Sequence, residues 1–332
     1  MSEARRARTC VIVGAGISGL LAANALQREG WDVTVLDKGR GVGGRMATRR
    51  VGGGTFDHGA QFFTVRGDRF FAFVEDWIDA GAAAEWSRGF ADADGNLNED
   101  GHPRYRGARG MTSIPKYLAR GLDVRTGEKA VRVDAIAGGW DVACESGLQL
   151  EASALLLGMP VSQALGLATS GNYGLPASAR QKLEAVSYGP CLALMVLLDG
   201  PADVPGPGGM QIKGEPLDWI GDNQRKGISE VPAITIHAGP EWSSAHFEDD
   251  EADVMRQLVS FAGDQLGTDL ATRVIESSLA RWRYSWVTNA HPEPFLAASE
   301  VPALLFCGDA FGQPKVEGAA LSGLAAADYL LG

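Results

Sequence analysis

TCVIVGAGISGLLAANALQREGWDVTVLD, residues 9–37, decides the fold. Thr9–Val13 reads as a short buried strand, rich in β-branched residues. Gly14-x-Gly16-x-x-Gly19 follows and opens an alanine- and leucine-rich helix running to about Glu29, which Gly30 closes. Trp31–Leu36 alternates apolar and polar residues as a second strand, and Asp37 ends it. Strand, glycine turn, helix, strand and acid in this order form a dinucleotide-binding unit. Gly14 permits the tight turn, Gly16 lets backbone approach a pyrophosphate, and Gly19 lets the helix lie close on the strand. The helix N-terminus then offers unpaired N–H groups to the phosphates, and Asp37 is placed to accept from ribose hydroxyls.

Around this unit the chain has 332 residues, a length that suits two domains or one large one. Its net charge of −11 argues against a nucleic-acid partner, which requires clustered Lys and Arg. Glycine supplies 44 residues, about twice the usual ~7% and without a collagen period. The longest apolar run, Cys191–Leu198, is far too short to span a membrane. Only CVIV follows the basic N-terminal residues before Gly14, too little for a signal-peptide core. Cys10, Cys144, Cys191 and Cys307 stand alone, which fits buried thiols in a reducing compartment, so the expected location is cytoplasmic. Neither the five histidines nor the cysteines show metal-ligand spacing, and no metal is expected.

Elsewhere, Asp68–Ala80 carries a helical apolar stripe, Asp92–Pro103 reads as a loop, and Met111–Arg120 looks helical. Strands around Val124, Lys129–Ile136, Trp140–Cys144, Leu148–Glu151 and Ala154–Leu157 suggest an antiparallel meander. Further strands are expected at Leu192–Leu198, Trp219–Ile220, Ile234–His237, Arg273–Tyr284 and Ala303–Cys307. Asp250–Leu266 reads as an amphipathic helix, and a last helix begins near Glu317.

Two further segments refine the cofactor. Arg40-x-x-Gly43-Gly44-Arg45 resembles the FAD-binding subclass that includes amine oxidases and phytoene desaturases. Arg45 can pair with the pyrophosphate. Leu305-Phe306-Cys307-Gly308-Asp309 resembles the second FAD fingerprint, and Val316-Glu317-Gly318-Ala319 then starts a helix that, by this resemblance, is expected to point its positive end at the flavin. No second Gly-x-Gly-x-x-Gly exists, so any nicotinamide enters as a substrate.

With both ends in place, the chain resembles the renalase family of small FAD oxidoreductases, essentially end to end. The residues that carry this are Asp37-Lys38, Gly43-Gly44-Arg45-Met46, Asp57-x-Gly59-Ala60-Gln61-Phe62-Phe63-Thr64, Gly110-Met111, Pro160-x-x-Gln163, Pro216–Trp219, His237-Ala238, Trp242-Ser243, Arg281-Trp282-x-Tyr284 and Cys307-Gly308-Asp309. The resemblance implies an α/β fold: a glutathione-reductase-type, Rossmann-like FAD domain with a second α+β substrate domain containing a mixed sheet. The expected boundaries are 1–75, 103–163 and 299–332 for the discontinuous FAD domain, and 76–102 and 164–298 for the substrate domain. The expected cofactor contacts are Gly14, Gly16, Ile17, Ser18, Gly19, Asp37, Lys38, Gly44, Arg45, Gly59, Ala60, Gln61, Phe62, Val131, Gly308, Asp309, Val316, Glu317, Gly318 and Ala319. No motif for covalent flavin is evident, so the FAD is expected to be noncovalent.

Family members are similar to oxidases of 2- or 6-dihydro-NAD(P), passing the electrons to O2 to give H2O2. Hydride delivery to flavin N5 requires orientation rather than a strong base. Candidate pocket residues for that chemistry are Gln61, Trp219, Asn223, His237, Trp282 and Tyr284. Trp282 and Tyr284 lie two apart on a strand and share a face, either pocket or core. His237 and Trp219 also admit core readings. His58 stands where an apolar residue is expected and is not counted as catalytic, and Leu157-Gly158-Met159-Pro160 lacks the threonine of the usual segment. The alternative is a flavin amine oxidase or desaturase-like enzyme acting on another small molecule. Many amine oxidases place a lysine near N5, and Ala193 stands at that position here, which counts against amine oxidation.

Overall fold

The structure, a computed structural model, describes residues 8–332. The described residues form two compact units, one of 8–44, Pro115–Ser187 and Val287–Gly332, the other of Arg45–Ile114 and Tyr188–Trp286.

The first unit is built on a six-stranded sheet ordered Leu296–Glu300, Ala303–Phe306, Ala154–Leu157, Thr9–Val13, Asp32–Asp37 and Asp123–Thr126. All neighbours are parallel except the first pair. Thr9–Val13 is nearly all buried, as a central parallel strand must be. The helix Ile17–Arg28 ends at Glu29, and Gly30 takes the left-handed conformation (φ +80°) that stops it. Strand order reverses around Thr9–Val13, which leaves a crevice beyond its C-terminal end. A separate antiparallel sheet of Ala130–Ile136, Gly139–Cys144 and Gln149–Ala152 completes this unit's β structure.

The second unit centres on a seven-stranded mixed sheet, ordered Val274–Asn289, Ser187–Leu198, Ala233–Ala238, Leu217–Asp222, Gly209–Gln211, Ala83–Ala91 and Leu97–Gly107. Gly209–Gln211 runs parallel to Ala83–Ala91. The helix Glu251–Leu266 packs Val254, Leu258 and Ala262 into one core with Leu194, Ile220 and Ile236. Its ends follow local chemistry: Asp250 accepts from the N–H groups of Ala252 (3.0 Å) and Asp253 (3.1 Å), and Gly267 caps the far end at φ +65°. Among the described residues, no helix is long and apolar enough to cross a membrane.

Several expectations change. Asp92–Pro103 is mostly not loop: Leu97–Gly107 is a strand paired with Ala83–Ala91, with register shifts near Ser87. Its polar residues lie on an exposed stretch, so no apolar alternation marks it. The meander is also smaller than expected, because Asp123–Thr126 and Ala154–Leu157 belong to the parallel sheet. The unit boundaries differ too. Residues 45–75 and 103–114 fall in the second unit, and 164–187 and 287–298 in the first. In the second unit, the hairpin Thr48–Val51/Gly54–Asp57 buries Phe56 against Ala193, Met195 and Leu197. In the first, Ser170 and Asn172 bond to the strand Ala130–Ile136, and Tyr173 packs edge-on against Trp140.

Candidate functional site

The first unit carries a dinucleotide cradle. Three neighbouring parallel strands end in glycine-containing turns: Gly14 follows Val13, Gly158 follows Leu157, and Gly308 follows Cys307. Gly14 (φ +115°) has no room for a side chain, since a β-carbon there would stand 3.0 Å from the Gly158 carbonyl. Gly16 differs: its backbone is extended, and a β-carbon would meet nothing within 4 Å. It also caps the first helix, which has no side-chain cap and no acid in its first turn. The N-terminal N–H groups of Ile17, Ser18 and Gly19 thus face an open cradle, where a phosphate suits both the donors and the helix dipole. Gly43 donates to the Ala15 carbonyl (2.8 Å), which holds the Gly43-Gly44 segment against this loop. These features fit FAD.

Other expected contacts in this unit have internal partners. Asp37 accepts from the N–H groups of Ala15 (2.8 Å) and Gly39 (2.7 Å), leaving acceptor capacity for a ribose. Ser18 donates its hydroxyl to Cys307 Sγ (3.0 Å), so its backbone N–H is what it can offer a cofactor. Burial pushes the Cys307 thiol up to about 12, so it is not a thiolate at neutral pH. Gly308 (φ +132°) donates to Ser322 Oγ (2.8 Å). Asp309 follows it, and Val316, Glu317, Gly318 and Ala319 occupy the first turns of the helix Lys315–Leu331. Lys38 reaches Gln163 Oε1 (3.1 Å), and Val131 is 41% exposed at a bulge in its strand.

In the second unit, residues 57–61 form a tightly bonded turn. Asp57 is fully buried; its Oδ1 accepts from Thr48 Oγ1 (2.6 Å) and the Met111 N–H (2.8 Å), its Oδ2 from Lys226 Nζ (2.6 Å). Thr48 and Thr112 exchange bonds, each N–H donating to the other's hydroxyl (2.6 and 3.0 Å). Gly59 is pressed onto the Arg45 carbonyl, which also accepts from the Ala60 N–H (2.9 Å). Gln61 is 6% exposed and donates Nε2 to the carbonyls of Asp57 (2.5 Å) and Gly59 (3.2 Å). The same nitrogen lies 3.4 Å from His237 Nε2. Arg45 donates to the Tyr284 carbonyl (3.2 Å) and lies over the Tyr188 ring.

Two imidazoles border this turn. His58 stacks on Trp282 (centroids 5.1 Å apart), and Trp282 Nε1 donates to the His58 carbonyl (2.8 Å). Burial, helped by Arg49, lowers His58 to about 4. Burial also lowers His237 to about 4; the His58 ring and Lys226 push the same way, and a hydrogen bond to the His58 backbone opposes them. Both rings are therefore neutral at pH 7. Ala193 is fully buried and pairs directly with His237.

The remaining candidates divide. Gln61, His237 and Trp282 gather around the 57–61 turn. Tyr284 contributes its carbonyl to Arg45, and its ring packs edge-on against Tyr188. Trp219 is buried in an aromatic group with Phe62, Trp86 and Phe90. Asn223 is fully buried, with Nδ2 on Thr235 (3.0 Å) and Oδ1 accepting from the Asp57 N–H (3.4 Å); it supports the turn from behind. Lys226 is the group that sequence reasoning missed. It lies in the polar run Asn223-Gln224-Arg225-Lys226-Gly227, which gives no local sign of burial.

Residues 12–77 match a family profile described as an NAD(P)-binding Rossmann-like domain, and residues 78–331 match one described as flavin containing amine oxidoreductase. A hydroxyneurosporene desaturase of Rubrivivax gelatinosus is 40% identical over 85 residues, 26% of this chain and 15% of the desaturase. An L-amino acid dehydrogenase of Synechocystis is 38% identical over 69 residues, 20% of this chain and 15% of the dehydrogenase. The chain thus spans a small fraction of these relatives. A putrescine oxidase variant superimposes with a TM-score of 0.76 at 17% identity, covering 98% of each chain, a likeness of fold.

Proposed function

Since the chain belongs to the flavin containing amine oxidoreductase family, we propose that it is an FAD-dependent oxidase of renalase type. Its substrate would be a dihydronicotinamide, a 2- or 6-dihydro-NAD(P), with O2 as acceptor giving H2O2. The flavin is held noncovalently in the cytoplasm. The observation that carries this reading is Ala193 beside His237. Where a lysine would serve amine oxidation, a methyl group faces a neutral imidazole.

Bound FAD supplies the hydride acceptor. Gly14, Gly16 and the first turn of Ile17–Arg28 would hold its pyrophosphate, Asp37 its ribose, and Gly308 with Asp309 its further end. In the second unit, Gln61, His237 and Trp282 serve to bind and orient the substrate ring. With both imidazoles near 4, neither is a strong base at pH 7. That suits hydride transfer, which needs alignment and no proton abstraction from carbon.

The second reading is oxidation of an amine or amino acid, or a desaturation. It is motivated by the desaturase and amino acid dehydrogenase among the partial relatives. An anaerobic stopped-flow experiment separates the two. Either dihydro-NAD(P) isomer should bleach the oxidised-flavin band and leave ordinary NAD(P)+. Bleaching by small amines or amino acids, with none by the dihydropyridines, would establish the second reading instead.

A further inference from the structure

Lys226 is a cation with no role in binding flavin or substrate in the reading above. Its side chain is 1% exposed. The ammonium donates to Asp57 Oδ2 (2.6 Å) and to the Gln61 carbonyl (2.5 Å), and it lies 4.8 Å from the centroid of the Trp86 ring. Burial works against the charge and lowers the Lys226 pKa, while the carboxylate, carbonyl and aromatic face around its three N–H bonds favour the charged form. The Asp57 carboxylate spends its other oxygen on Thr48 and Met111.

The geometry closes on Gln61 from two sides. Lys226 holds its backbone carbonyl, and the Asp57 carbonyl holds its side-chain nitrogen (2.5 Å). The carboxamide can then present Oε1 only on the opposite side, where that atom is buried without a hydrogen-bond partner in the protein. His58 lies on the same turn, and its Nδ1 is also unpartnered.

We propose that Lys226, clamped by Asp57, is a positioning residue for the oxidation: it fixes the backbone that carries the Gln61 carboxamide and, charged against Asp57, sets a positive charge near His237. This rests on the 57–61 turn serving the substrate, as proposed above. A neutral, fixed Gln61–His237 edge orients a ring without competing for its proton. The charged and titratable groups around it are few. His58 and Lys226 act on His237, Arg49 acts on His58, and Asp57 and Arg106 act on Lys226.

The test uses the flavin-loaded full chain and a readout that needs no substrate. Imidazole titration by NMR is compared between the natural chain and Lys226→Met, with Asp57→Asn/Lys226→Met as a second variant that leaves no unpaired buried charge. The His237 midpoint should rise by roughly half a unit or more once the ammonium is gone. Flavin reduction at saturating substrate should slow about tenfold or more, with substrate affinity much less affected. An unchanged His237 midpoint in a folded, flavin-bound variant overturns the proposal. So does failure of both variants to fold, which would assign the pair to the fold alone. A shifted midpoint in a protein that no dihydropyridine reduces would refute the substrate reading and leave the role of Lys226 standing.

Discussion

Gly14 and Gly16 stand two residues apart and should fail differently when substituted. Gly14→Ala puts a side chain at φ +115° against the Gly158 carbonyl and should cost about 1–3 kcal/mol, visible as a lowered thermal midpoint of the flavin-free protein. Gly16→Val meets open space in an extended backbone, so the flavin-free stability should change by less than about 0.5 kcal/mol. Flavin content should nevertheless collapse, because the added methyl groups would occupy the phosphate approach. Loss of stability without loss of flavin at Gly16 would contradict the cradle. At this scale the sequence was most legible. The three glycines do their work through backbone geometry, which a motif in its strand–helix context encodes directly. Lys226 was illegible for the opposite reason: its partners Asp57 and Gln61 lie 169 and 165 residues away.

Among the elements, the helix Glu251–Leu266 shows how local chemistry and packing separate. Asp250→Ala removes a side-chain cap from two N–H groups and should cost about 1 kcal/mol, read by chemical denaturation, with flavin reduction unaffected. Leu258→Ala, in the middle of the buried face, should cost roughly 2–5 kcal/mol. Apolar periodicity and the acidic start announced this helix. The strand Leu97–Gly107 had no such announcement. Six of its residues, Leu97 to His102, are exposed, and it is held by pairing to Ala83–Ala91, which only the folded chain supplies. The Ala154–Leu157 strand was visible as a strand, but its partner was not. Four aliphatic residues suit a meander or a parallel sheet equally, and long-range register decided for the latter.

For the molecule as a whole, the two neutral imidazoles set an acid limit. His58 and His237 titrate near 4 in the folded chain, against 6.5 for the ordinary group. Between these values the unfolded chain binds more protons, so stability should fall as pH drops from about 6.5 to 4. Full protonation would remove on the order of 3 kcal/mol per imidazole, checked by urea midpoints across that range. His58→Gln/His237→Gln should flatten the slope; an equally steep slope in that variant would place the acid sensitivity elsewhere. The composition showed five histidines, but only the folded chain shows that burial lowers His58, His237 and His291, the first two to about 4.

The bonds between Thr48, Thr112, Asp57 and Met111 also bear on how the chain exchanges its amide protons with solvent. Met111 and Thr112 precede the short helix Ser113–Leu118 and belong to no strand ladder. Residues so placed normally lose their amide protons within a fast local opening. Here the Met111 N–H donates to a fully buried carboxylate and the Thr112 N–H to the Thr48 hydroxyl. Releasing either requires breaking the side-chain lattice that also holds Lys226. In heavy water, these two turn amides should persist as long as those of the central strands, making them a clock for the opening of this unit.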